Sequence, residues 1–208
     1  MEYTSPSPRL LIGIPKGRME ELILTKLNGS GFNFTKDASR SLVICDNEYG
    51  IDLLPLKSND ILTFVKNGVA DYGIVGRDVL DEMQGQFKII KEIPIGVCRM
   101  SVSGPPQLKL SQMRYLKIAT KYPIQAKNVL KKLGMAGDVL TVNSSVEIAP
   151  LLKLSDCILD IIETGKTLED NGLAELFCVN DIRSQLFYTT SQKKLPDLFT
   201  DALCINGA

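Results

Sequence analysis

In the stretch Ser155–Leu168, S-D-C-I-L-D-I-I-E-T-G-K-T-L, an apolar run carries an acid, Asp160, and then passes into Glu163-Thr164-Gly165-Lys166-Thr167. A loop that leaves a strand and enters a helix offers unpaired backbone N–H groups, with the positive end of the helix dipole behind them. Gly165 lets a phosphate approach the backbone, Thr164 and Thr167 bring hydroxyl donors, and Lys166 brings charge. G-K-T also ends the Walker A motif, which requires a glycine five positions before the glycine of its Gly-Lys pair. That position is Asp160, so a nucleoside-triphosphatase loop is excluded. Two readings remain: an anion-binding loop, or a plain capped helix start after a strand.

The rest of the composition narrows the chemistry. The chain has no histidine, which removes imidazole acid–base catalysis, His triads and His-ligated metals together. The work falls to carboxylates, Lys and Arg, hydroxyls, backbone N–H groups and bound metal. Five scattered cysteines, mostly inside apolar runs, read as reduced core thiols and not as a disulfide frame or a zinc site. Formal net charge is zero, against a general nucleic-acid binder. No apolar stretch approaches the ~18 residues of a membrane span, and the start M-E-Y-T-S-P-S-P-R has no apolar core and is expected to be a frayed lead-in. The expected setting is cytoplasmic, with no membrane contact.

The elements that must position the loop alternate between two periods. Strands are expected at Leu10–Pro15, Ser41–Cys45, Tyr72–Val75, Val97–Val102, Lys117–Ala119, Val139–Val142 and Cys157–Ile162. Helices are expected from Lys16-Gly17-Arg18 to Asn28-Gly29, over Asp60–Lys66, from Arg77-Asp78, over Pro123–Leu133, over Ser144–Leu154, and from about Gly165 to Asn171-Gly172. Asp46–Gly50 is a turn. This rhythm predicts an α/β protein with mostly parallel sheets. Ser103-Gly104-Pro105-Pro106 is the expected hinge between two lobes, residues 1–102 plus 178–208 and residues 103–177, the second carrying the loop.

Five segments occur in order: I-P-K-G-R (Ile14–Arg18), G-V-A-D-Y-G-I-V-G-R-D-V-L-D-E (Gly68–Glu82), I-A-T-K-Y-P (Ile118–Pro123), S-V-E-I-A-P (Ser145–Pro150) and D-I-I-E-T-G-K-T-L-E-D-N-G-L (Asp160–Leu173). Together they resemble the ATP phosphoribosyltransferase family, the first enzyme of histidine biosynthesis, and the length resembles its short form. Two positions depart from the family pattern: Ser144 stands where a glycine is usual before S-V-E, and Lys57 stands where an arginine is usual in the segment Lys57–Leu62.

The resemblance implies two α/β lobes like type II periplasmic binding proteins, with the active site in an interlobe cleft. It implies transfer of the 5-phosphoribosyl group from phosphoribosyl pyrophosphate to N1 of ATP, with Mg²⁺ carried on the substrate. It also implies a homodimer that associates with a regulatory subunit similar to a histidyl-tRNA synthetase. Phosphoribosyltransferases place acids ahead of such a loop to meet ribose hydroxyls, as Asp160 and Glu163 do. On that pattern Glu163, Thr164, Gly165, Lys166 and Thr167 take the 5′-phosphate, and Asp160, Glu163 and Glu147 face ribose or metal. Lys16, Gly17 and Arg18, with Asp71, face ATP; Arg18, Arg40 and Lys57 serve catalysis at the pyrophosphate, and Lys121 is a further cleft cation.

Each has a plainer alternative. Lys16 and Arg18 would be a solvated helix start, Arg40 and Lys57 surface charges, Asp71 a turn residue, Asp78 a first-turn helix acid and Glu147 a capping acid. The rival functions are a salvage phosphoribosyltransferase acting on a free base, and a non-catalytic two-lobed binder of anions or solutes.

Overall fold

A computed structural model describes residues 9–35, 42–190 and 193–204. The expected N-terminal lead-in, Arg40 and Ser41 lie outside them. Contacts divide the chain into two compact units, residues 1–96 with 183–208 and residues 97–182.

The first unit holds β1 (Leu10–Pro15), α1 (Arg18–Gly29), β2 (Ile44–Asp46), β3 (Ile51–Leu56), α2 (Ser58–Lys66), β4 (Tyr72–Gly76) and α3 (Arg77–Met83). It also takes the start of β5 (Lys88–Gly104), the end of β9 (Ala174–Tyr188) and α7 (Asp197–Cys204). β1 is central, parallel to β3 and to β4, while β2 and β9 add antiparallel neighbours. One face of β1, Ile12 and Ile14, is sealed by Ile23 and Leu27 of α1 and by Phe199 and Leu203 of α7. Strand alternation presents the other face to α2, where Ile61 and Leu62 pack with Val75 and Phe187. There Gly73 is obligatory, because a Cβ would sit 2.6 Å from Phe187 Cε1 and 2.8 Å from Ile61 Cγ2.

β3 was hidden in the sequence by Asp52 and Pro55, two residues poorly suited to a central strand. Asp52 is tolerated because Arg9 grips it, with Nε 3.0 and 2.9 Å and Nη2 2.7 Å from its carboxylate oxygens. Buried Asp46 closes the expected turn by accepting the N–H groups of Glu48 and Tyr49, both at 2.9 Å.

The second unit holds the remainder of β5, β6 (Tyr115–Thr120), α4 (Pro123–Leu133), β7 (Ala136–Thr141), α5 (Ile148–Leu151), β8 (Cys157–Ile162), α6 (Lys166–Asp170) and the start of β9. β6 is parallel to β7 and β8, and β5 runs antiparallel to β8. Helix α4 begins on Pro123, whose missing N–H costs nothing at that position, and stops at Gly134. It covers one face, packing Ala126, Val129 and Leu130 on Ile118, Leu159 and Met100. The opposite face, Ile158 and Ile162, is covered by Val146, Ala149, Leu168 and Leu173. The expected helix over Ser144–Leu154 is reduced to the short α5. In a longer helix Pro150 would lack an N–H to bond residue 146, and its ring would strike that carbonyl. Strand β5 runs unbroken through Ser103 and Gly104, the expected hinge, and the division between the units falls earlier in it, at Gly96–Val97. None of the five cysteines is in a disulfide, and burial pushes the Cys157 thiol up to about 12.

Candidate active site

Alternation along β8 builds the site. Ile158 and Ile162 face the short helices α5 and α6, so Asp160 between them faces the same side. The strand then ends, and Gly165 adopts φ 84°, ψ −4°, a left-handed conformation that a glycine takes without cost, as N-cap of α6. Glu147, at the start of α5, comes to the same place. Glu147, Asp160, Glu163, Thr164, Gly165 and Thr167 line a cavity of about 220 Å³ floored by Ile158, Ile162 and Leu168. Lys166 is exposed and is not among the lining residues.

The loop's donors are available. The backbone N–H groups of Thr164, Gly165 and Thr167 have no hydrogen-bond partner among the described residues. Lys166 N–H makes only a 3.4 Å contact with Thr164 Oγ1. With five residues, α6 contributes a weak macrodipole, so these local N–H groups and the threonine hydroxyls must carry anion recognition.

Asp160 is electrostatically set apart. Burial raises its carboxyl above the ordinary aspartate value, and the nearby Glu147 charge adds to the rise. The Ile161 N–H, 2.9 Å from Oδ1, and the Lys121 ammonium pull the other way. The desolvation dominates. An acid held this way favours any ligand that supplies hydroxyl or amine donors to it.

In the first unit the structure brings Lys16, Arg18 and Lys57 to one edge. β1 and β3 are parallel, with Pro15 opposite Leu56, so the basic residues that follow both strands emerge side by side. Lys16 N–H donates to Leu56 O at 2.9 Å, tying the two strand ends together. Lys16, Gly17, Arg18 and Lys57 are exposed there. Lys57 is the N-cap residue of α2 and makes no side-chain cap bond.

Asp71 is not brought to this edge. It precedes β4 at the amino end of the sheet, where its Oδ2 accepts Leu11 N–H (2.9 Å) and pairs with Lys193 Nζ (2.8 Å). Leu11 and Lys16 are five residues apart along β1, so Asp71 and the basic edge stand about 16 Å apart at ~3.3 Å per residue. The structure gives Asp71 a task in the fold: it joins β1 to the segment that precedes α7. Asp78 is a buried acid in the first turn of α3.

A larger hollow of about 520 Å³ lies between Pro105–Met113 and Pro150–Asp156. It contains neither the loop nor the Asp160–Glu147 pair, and its Asp156 is already bonded to Lys117 N–H at 2.7 Å. The smaller cavity is the better chemical site. Beside it stands a cluster that sequence reading missed: Arg99 and Ser101 on β5 with Glu175 on β9. The available signal was the alternation of polar Arg99, Ser101 and Ser103 with apolar Cys98, Met100 and Val102.

Residues 57–203 match the family model described as ATP phosphoribosyltransferase. An ATP phosphoribosyltransferase from Caldanaerobacter subterraneus subsp. tengcongensis is 41% identical over 164 residues, 78% of each chain. Among solved structures, an ATP phosphoribosyl transferase (HisG:HisZ) complex from Thermotoga maritima aligns with a TM-score of 0.72 at 33% identity, over 86% of this chain and 87% of that one. A substrate-binding domain of a putative amino acid ABC transporter from Streptococcus pneumoniae shares the fold alone, with a TM-score of 0.55 at 11% identity over 94% and 92% of the two chains. A cavity lined by a strand-to-helix loop and three carboxylates, on a chain this similar to enzymes of one activity over most of its length, leads to one conclusion: the chain belongs to the ATP phosphoribosyltransferase family.

Proposed function

We propose that the chain transfers the 5-phosphoribosyl group from phosphoribosyl pyrophosphate to N1 of ATP, releasing pyrophosphate, as the first step of histidine biosynthesis. The observation that carries this reading is the 220 Å³ cavity, where free loop N–H groups meet Asp160 and Glu147. Thr164, Gly165 and Thr167 hold the 5′-phosphate through backbone N–H groups and hydroxyls. Asp160 and Glu147 accept the ribose hydroxyls, and the ribose donors compensate the desolvation of Asp160. Glu163 stands at the loop mouth, and Lys166 contributes long-range charge from outside the cavity.

N1 of adenine already carries a lone pair, so no base need remove a proton from it. The reaction is a glycosyl transfer through an oxocarbenium-like transition state, for which positioning supplies on the order of 7–11 kcal/mol. Lys16 and Arg18 serve the triphosphate or pyrophosphate, and Lys57 with Arg40 the leaving pyrophosphate, where fixed positive charge stabilises what develops as the bond breaks. Among the described residues no group of three or more His, Cys, Asp or Glu could hold a metal ion. Mg²⁺ brought in with the substrate would neutralise charge on the leaving pyrophosphate, and Asp160, Glu163 and Glu147 are the cavity carboxylates that would reach it.

No described helix is long and apolar enough to cross a membrane. The proposed reaction, on soluble nucleotide substrates, assigns the chain to the cytoplasm. The Thermotoga maritima structure is a HisG:HisZ complex, and on that pattern the working form proposed for this chain is a hetero-oligomer; the expected arrangement is a homodimer of this chain with a regulatory subunit similar to a histidyl-tRNA synthetase. The test is incubation with ATP, phosphoribosyl pyrophosphate and Mg²⁺, with and without that subunit, and detection of the N1-adduct. Phosphoribosylation of free adenine in place of ATP would overturn the acceptor assignment.

A further inference from the structure

The loop that follows β8 is also held by side chains of β5 and β9 that do not line the cavity. Arg99 Nε donates to both carboxylate oxygens of Glu175, at 2.9 and 2.8 Å, and its Nη2 lies 2.6 Å from Oε2. Glu175 Oε1 also accepts from Ser101 Oγ at 2.7 Å. With Nε and Nη2 engaged by one carboxylate, the planar guanidinium has a fixed orientation. Its remaining arm, Nη1, donates to the carbonyl oxygen of Glu163 in a long bond of 3.4 Å. The strand register explains the reach: Arg99 lies opposite Ile162, the last residue of β8, and Ser101 lies opposite Asp160. Arg99, Ser101 and Glu175 all lie in the same compact unit as the loop, and none of them lines the cavity.

We propose that Arg99, oriented by Glu175 and Ser101, is a positioning residue that sets the Glu163–Thr164 peptide plane and so presents the Thr164 N–H to the phosphate. A trans peptide carries its C=O and N–H on opposite sides. Holding the Glu163 oxygen toward Arg99 turns the Thr164 N–H the other way, toward the cavity that Thr164 lines. The loop is exposed at Glu163 and Thr164. When Arg99 lets go, the peptide samples rotated states, and the binding-competent fraction falls. Apparent affinity falls by the same factor, so a competent fraction reduced to a tenth weakens binding about tenfold. The shape of the donor matters as well as its charge. A lysine cannot hold the carboxylate on two atoms and keep a third donor aimed at the carbonyl.

The inference rests on the reading of this loop as the phosphoribosyl pyrophosphate site, and the experiment separates the two. Titrate phosphoribosyl pyrophosphate into the full-length wild-type chain, R99K and E175Q by calorimetry, then measure steady-state constants with the regulatory subunit present. The expected result is a Kd and KM for phosphoribosyl pyrophosphate raised about tenfold in both variants, with kcat changed less than twofold. The KM for ATP should hold within twofold, and the unfolding midpoint should stay close to that of wild type. The double variant R99K/E175Q should be no worse than either single one, because the two side chains act as one device. A purely structural ion pair would instead lower stability and move the constants of both substrates together, or move none. Wild-type affinity retained in folded R99K and E175Q overturns the inference alone. A wild-type chain that does not bind phosphoribosyl pyrophosphate overturns the site reading and the inference with it.

Discussion

Gly165 offers the sharpest test of the loop, because conformation and occlusion can be separated there. Its φ of 84° falls where a side chain is costly, by about 1–2 kcal/mol in the left-handed region. Space is not the obstacle, since the nearest atom to an added Cβ is Ile162 Cγ2 at 3.9 Å. Gly165→Ala should therefore lower stability by about 1–2 kcal/mol. Gly172 supplies the control: its φ is 66°, nothing lies within 4 Å of an added Cβ, and it does not line the cavity. Gly172→Ala should cost the fold a similar ~1–2 kcal/mol with no effect on the ligand. Gly165→Asn tolerates the left-handed conformation better, yet still puts a side chain where the phosphate must meet the backbone. Losing one hydrogen bond to a charged group costs about 1.5–3 kcal/mol, or roughly ten- to 150-fold in Kd. Urea unfolding and calorimetry with phosphoribosyl pyrophosphate on all three variants decide the matter. If Gly165→Ala and Gly165→Asn bind as tightly as Gly172→Ala, the loop does not use its backbone to hold the phosphate.

Three further outcomes follow from the same geometry. Burial raises the Asp160 carboxyl above its unfolded value, so its contribution favours the native state below that value and is lost as pH rises through the folded one. Asp160→Asn should therefore be more stable than wild type at pH 7 by urea unfolding, with the difference closing in acid, while phosphoribosyl transfer falls; equal midpoints at pH 7 would refute the dominance of desolvation. Lys57→Ala should reduce kcat/KM about tenfold, ~1.4 kcal/mol, without loss of stability, because the exposed cation caps nothing at the start of α2; an unchanged rate would return Lys57 to the surface charges. Gly73→Ala should destabilise the first unit by about 1–3 kcal/mol through overpacking against Phe187 and Ile61, and a thermal midpoint equal to wild type would show that this contact yields freely.

Much of the scaffold was legible because local signals and packing agree. β1, α4 and β8 lie at the residues that their apolar runs, Pro123 and Gly134 marked. The loop was legible for the same reason: a buried strand, an acid on its covered face and a glycine at the cap are all local features. What escaped depends on partners far away in sequence. β3 is stabilised by Arg9 reaching Asp52 across 43 positions, and neither residue alone announces a strand. Arg99 and Glu175 meet across 76 positions, and each in isolation resembles an ordinary charge on a strand. Asp71 shows the same dependence on a distant partner. Its place in an apparently catalytic motif concealed a partnership with Lys193, 122 positions on, at the other end of the sheet from Lys16 and Arg18.

The helix expected over Ser144–Leu154 falls short, and its shortening is also what opens the site. An uninterrupted helix over Ser144–Leu154 would be about 16 Å long at ~1.5 Å per residue and would lie across the face that carries Ile158, Asp160 and Ile162. Pro150 forbids that. It fits the first turn of a helix but not its middle, so α5 starts only at Ile148. Ahead of it Val146 folds inward to seal the core, and Glu147, itself still in helical backbone geometry, turns its side chain to the cavity wall. On the other flank Gly165 starts α6 with a left-handed cap, and that helix also ends after little more than a turn. Two truncated helices cover the apolar residues on either side of Asp160 and leave the acid itself partly uncovered. The same local rules that normally complete a core here stop short of one strand position, and the polar group at that position becomes available to a ligand.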